Sequence, residues 1–107
     1  DQDFHVLGWP QAGGGLTLEA PDTWGSVIFA AGTAMDPRQT FYGLLEVSRP
    51  SIVWQTAPLV IPPGGLSYPV AVPSSAAVAG ELFHLQALMI NVISTELSNK
   101  VSLRIQP

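Results

Sequence analysis

Residues 80–106 read GELFHLQALMINVISTELSNKVSLRIQ, and the architecture turns on whether this run is strand or helix. Its end alternates, with Val101, Leu103 and Ile105 on one side of an extended chain and Ser102, Arg104 and Gln106 on the other. A period of two puts three aliphatic side chains into a core and three polar ones into water. Upstream, Phe83, Leu85, Ala87 and Met89 share one face, while Leu82, His84, Gln86, Leu88 and Ile90 share the opposite one. A strand that is apolar on both faces toward its end sits centrally or under a partner. Helix competes over residues 76–93, where good helix formers abound, but Gly80 interrupts it and no polar face recurs at helical spacing. Two strands joined by a turn are expected to close the chain.

Moving outward, short apolar runs alternate with turn residues along the remaining sequence. Residues 59–61 form a short extension that stops at Pro62-Pro63-Gly64-Gly65, the strongest turn signal in the chain, and residues 66–72 (LSYPVAV) follow it. Pro69 lacks a ladder donor, so that strand is expected at a sheet edge or with a bulge. Residues 26–31 (SVIFAA), 41–47 (FYGLLEV) and 51–56 (SIVWQT) read as strands, and residues 32–40 as a loop around the Asp36-Pro37 turn starter. Nearer the start, residues 16–20 form a short strand behind Gly13, Gly14 and Gly15, which read as a linker or hinge. Residues 1–10 (DQDFHVLGWP) are extended, with Phe4 and Val6 on one face and His5, Leu7 and Trp9 on the other. Seven or eight short strands at this spacing predict an all-β protein, a single antiparallel β-sandwich of immunoglobulin-like or jelly-roll-like type. The expected organisation is an extended N-terminal strand over residues 1–12 and a sandwich over residues 13–107.

Composition narrows the function classes. A chain of 107 residues makes one domain, burying roughly 65% of its unfolded surface. With no cysteine there is neither a disulfide framework nor a thiolate metal site. The start at Asp1 is the form expected of a mature exported chain after signal-peptide removal. Charged residues make up 11%, less than half of the usual ~25%, so the exterior must be poor in charge: either partners cover much of it, or it is rich in Ser, Thr, Gln, Pro and Gly, or both. A net charge of −4 and four dispersed cations, Arg38, Arg49, Lys100 and Arg104, argue against nucleic acid, which needs a clustered basic footprint. Glu81, His84, Gln86 and Asn91 break up the longest apolar run, so no membrane-spanning helix is expected.

From about residue 32 to residue 106, the chain resembles small β-sandwich modules at the C-termini of large exported bacterial proteins. The residues that carry the likeness are Gly32-Thr33, Pro63-Gly64, Val70-Ala71-Val72-Pro73, Gly80, Leu82, Leu85-Gln86-Ala87-Leu88, Ser98-Asn99, Val101, Leu103 and Ile105. That resemblance implies a fold and export, and no activity. This chain departs from it by carrying an added apolar segment in front of the module.

Chemistry-bearing motifs are sparse. His84 lies three residues from Glu81 and His5 lies near Asp1 and Asp3, but a zinc site needs three or four convergent ligands and no HExxH or Asp-rich loop supplies them. No serine occupies a G-x-S-x-G elbow, and Glu19, Glu46, Glu81 and Glu96 stand singly. The expectation is therefore no enzyme, no cofactor and no metal. Trp9 and Trp24, flanked by glycine and proline, are candidates for a platform on which a sugar ring stacks, whereas Trp54 reads as core. The leading expectation is a structural subunit of an extracellular homopolymer, a fibre or surface layer, that associates by strand addition through Phe4, Val6, Leu7 and Trp9. A cell-surface binding module for glycan or protein is the alternative, and a small secreted hydrolase the third.

Overall fold

A computed structural model describes residues 4–75 and 78–107. Eleven strands are found among them, in chain order β1 (His5–Leu7), β2 (Gly15–Ala20), β3 (Ser26–Gly32), β4 (Met35–Thr40), β5 (Gly43–Val47), β6 (Ile52–Gln55), β7 (Leu59–Val60), β8 (Leu66–Ala71), β9 (Leu82–Ile90), β10 (Thr95–Leu97) and β11 (Val101–Arg104). The only helical element among the described residues is a single 3-10 turn at Arg49–Ser51, entered through Pro50. All strand pairings are antiparallel.

The expected count of seven or eight strands is exceeded, because the strands lie in three sheets. The smallest sheet is the β4–β5 hairpin, and a second has the order β1-β2-β8. In the largest, β3 and β9 pair along seven residues; β10 and β11 follow one another along the far side of β9, and β6 and β7 along the far side of β3. Each of the two outer positions in that sheet is thus filled by two short strands in succession. Hydrophobic patterning marks such strands poorly, since each is only two to four residues long.

One core joins the two larger sheets. Phe4 and Leu18 from the smaller meet Val27, Phe29, Leu85, Ala87 and Met89 from the larger, all buried, and Phe83, Val101 and Leu103 pack against them half-buried. Phe29 lies at the centre, with ring centroids 5.5 Å from Phe4 and 6.0 Å from Tyr68. Strand β9 is both central and covered: the β4–β5 hairpin lies against the side opposite the core, where Gln86 is buried.

Three expectations need correction. Residues 32–40 are not a loop, since Met35–Thr40 forms β4 on the hairpin's outer side. Its side chains are almost all exposed, so no apolar alternation could announce it. The glycine run is no free hinge: Gly13 donates to the carbonyls of Val72 and Pro73, Gly14 to that of Gln11, and Gly15 begins β2. Of the expected N-terminal strand over residues 1–12, the described part joins the sandwich: β1 pairs with β2 of its own chain and Phe4 enters the common core. Trp24, expected at the surface, is buried immediately before β3, where the Gly25 carbonyl accepts from Ile61 and closes the chain over it.

The strongest turn signal forms as read. The Gly65 N–H donates to the Pro62 carbonyl at 3.0 Å, and Gly64 has φ +92°, giving a type II turn with Pro63 and Gly64 at its corners.

Candidate functional site

The residues assigned to self-association lie along β1 and its continuation, and the structure divides them. Phe4 is 1% exposed and Val6 packs against the core, whereas Leu7 and Trp9 are 51% and 68% exposed. Alternation along the strand produces this split, since Phe4 and Val6 share the inward face.

A strand of three residues has few ladder bonds of its own and gains from a further tie. Here the tie is Asn99. Its Oδ1 accepts from the Phe4 N–H and its Nδ2 donates to the Phe4 carbonyl, both at 3.1 Å, so one side-chain amide replaces a missing backbone partner. Because Asn99 stands just ahead of β11, this clasp joins the smaller sheet to the larger. Further along, Gln106 donates to the Pro10 carbonyl and accepts from Ala12 at 2.6 and 2.8 Å, with a parallel bridge between Gln11 and Gln106. The flank between β1 and β11 is closed by backbone and amide bonds. Phe4 sits in it as a plug whose socket is built from both sheets.

On the outer face of the smaller sheet, register brings together residues that the sequence holds far apart. His5 stands opposite Glu19, and Glu19 opposite Ser67, in one lateral row beside the Gly64-Gly65 turn. Sequence spacing gave no sign of this row, because its members come from three strands. Ser67 Oγ donates to Glu19 Oε2 at 3.1 Å. The carboxylate therefore stands between hydroxyl and imidazole, whereas activating a serine requires the imidazole to touch the hydroxyl. Among the described residues, no group of three or more His, Asp or Glu side chains could hold a metal ion.

His84 lies away from this row, buried on the side of β9 turned from the core, with Nδ1 2.8 Å from Ser102 Oγ on the paired strand. Burial, and then the nearby Lys100 charge, hold its pKa below the ordinary value of 6.5.

The Trp9 and Trp24 platform does not assemble, since Trp24 is buried while Trp9 is exposed. No described helix is long and apolar enough to cross a membrane. No family model, no curated protein and no solved structure matches this chain.

Proposed function

We propose that this chain is a structural subunit of an extracellular homopolymer, a fibre or surface layer, in which neighbouring copies exchange β1. The supporting fold reading is a β-sandwich, two sheets facing across one core with the β4–β5 hairpin laid on the outside. One observation carries the proposal: a fully buried aromatic plug, Phe4, stands immediately ahead of the first three-residue strand, in a socket where the Asn99 side chain clasps its backbone. The same socket can be filled by its own chain or by the next copy at no loss of contacts, and an open-ended exchange propagates.

Three other edge strands are poorly suited to adding a partner. Strand β4 carries Pro37, β8 carries Pro69, and β7 is two residues long between Pro58 and Pro62. Exchange of β1 avoids this obstacle because it reuses an existing pairing. Exposed apolar side chains at Leu7, Trp9, Phe41, Val92 and Ile93 give assembled copies further surface to cover.

The absence of native cysteine makes a direct test clean. His5 and Glu19 are cross-strand partners, and antiparallel partners stand about 4.5–5.5 Å apart at Cα, within disulfide range. In a H5C/E19C double variant, oxidised at high protein concentration, exchange gives a ladder of covalent multimers on a non-reducing gel. A cross-linked monomer as the sole product at every concentration would refute exchange.

A further inference from the structure

At the end of the molecule where β2 meets the end of β8, the two sheets part around an apolar cavity of about 320 Å³. Its walls include Leu16 and Val70 from the smaller sheet and Ala31, Leu85 and Trp54 from the larger. No charged side chain lines it among the described residues, and the Trp54 indole is the one polar side-chain group. The mouth is marked by the exposed members of the lining, Val53 on β6 and Ala71 and Pro73 at the end of β8. Its exposed rim lies along β6 and β8, away from β1, and its lining reaches across to Leu103 on β11 and Ile105 beyond it.

Two features keep this space open. Along the inward face of β3, side chains step down from Phe29 to Ala31, so the wall recedes where the cavity begins. Beside it, the β3–β6 register shifts between Ala31 and Gly32, leaving Val53 as an extra residue turned outward at the mouth. Bulges of this kind re-aim side chains and concentrate beside binding sites.

The rim also says what kind of occupant fits. Val72 exchanges hydrogen bonds with Gly13 and Gly14, so by alternation the backbone of Val70 and Tyr68 points to β2, while that of Ser67, Pro69 and Ala71 points to the free edge. Pro69 thus removes an outward donor, and the bulge interrupts β6 on the other rim. A β-strand would find no continuous ladder there. The neutral, almost wholly aliphatic lining offers nothing to a charged or hydrogen-bonding group either.

We propose that this cavity binds an uncharged hydrocarbon chain, the tail of a lipid whose polar head stays in water at the mouth. The volume falls within the roughly 300–1,000 Å³ of ligand pockets, and an aliphatic cavity of about 150 Å³ already takes up benzene. This site is separate from the β1 seat and stands whether or not copies exchange that strand.

Because Trp54 lines the cavity, its fluorescence reports occupancy, with 1-decanol as the probe. The expected result is a saturable blue shift in the wild-type chain, lost in Trp54→Phe. Ala31→Leu fills the recess and weakens apparent affinity by about tenfold or more, the discrimination typical of a few methylenes in an apolar pocket. Ala71→Glu, on the exposed rim, weakens it without touching the core, and Val60→Ala leaves it unchanged. A wild-type chain with no saturable response overturns the assignment, as does an unchanged response in a folded Ala31→Leu or in Ala71→Glu. A shift that follows protein concentration and ignores decanol identifies a second copy as the occupant and also overturns it.

Discussion

At the scale of single residues, the closure of this fold rests on short polar side chains at chain junctions. Asn99 satisfies both backbone groups of Phe4, so replacing it by Leu leaves that N–H and carbonyl without their partner. The expected destabilisation in urea unfolding is about 1–3 kcal/mol. Emptying the socket costs more: Phe4→Ala removes a fully buried ring tilted against Phe29, and about 3–5 kcal/mol is expected. His84 sets a pH dependence whose sign follows from its depressed pKa. The unfolded chain takes up the proton first as pH falls, so the stability contribution is full above about 6.5, declines below it, and is gone once the folded-state pKa is passed. Urea midpoints recorded between pH 8 and pH 5 are expected to fall below pH 6.5 in the wild type and to flatten there in His84→Gln.

At the scale of elements, the link between the β4–β5 hairpin and the body is Gln86. Its Nε2 donates to the carbonyls of Leu44 and Ser98, and its Oε1 accepts from the Glu46 N–H, so every polar atom of this buried amide is engaged. Gln86→Leu is expected to release the hairpin before the core: amide exchange at Glu46 accelerates by at least tenfold, while Phe29 and Ala87 in the β3–β9 pair stay protected. Equal acceleration at all three would show that the hairpin is not a separate unit. Gly32 carries a different constraint, since an added Cβ would stand 2.5 Å from Val47 Cγ1 and 2.7 Å from Ser51 Oγ. Overpacking of that kind typically costs about 1–3 kcal/mol, the loss expected for Gly32→Ala. The strands with large inward faces were legible from alternation and turns alone, β3, β8, β9 and β11 above all. Strand β4 was not, because it is held by pairing while its side chains face water, and its Asp-Pro sequence signals a turn. Gln86, Ser98 and Asn99 were visible only as parts of a closing motif. Their partners, Glu46, Ala87 and Phe4, are set by tertiary register, which no local period encodes.

At the scale of the whole molecule, the two flanks differ: one is sealed by β1, Asn99 and Gln106, and the other bears the mouth of a neutral cavity between proline-bearing and bulged edges. The His5, Glu19 and Ser67 row and the cavity could not be read from sequence, since each gathers residues from strands distant along the chain. Low charge, by contrast, was plain from composition and bears directly on how copies meet. The described residues hold a single ion pair between carboxylate and guanidinium, Asp36 with Arg38, exposed and within one strand. Contacts between copies through exchanged β1 and exposed apolar side chains therefore gain little from opposite charges, while every copy carries a net −4 that opposes approach. Salt screens that repulsion, the Debye length falling from about 30 Å at 0.01 M to about 3 Å at 1 M, and leaves apolar burial intact. Association followed by sedimentation velocity at pH 7 is thus expected to strengthen from 20 to 500 mM sodium chloride. Dissociation by salt would instead place ion pairs between the copies, and the strand-exchange assembly would have to be abandoned for a charged interface.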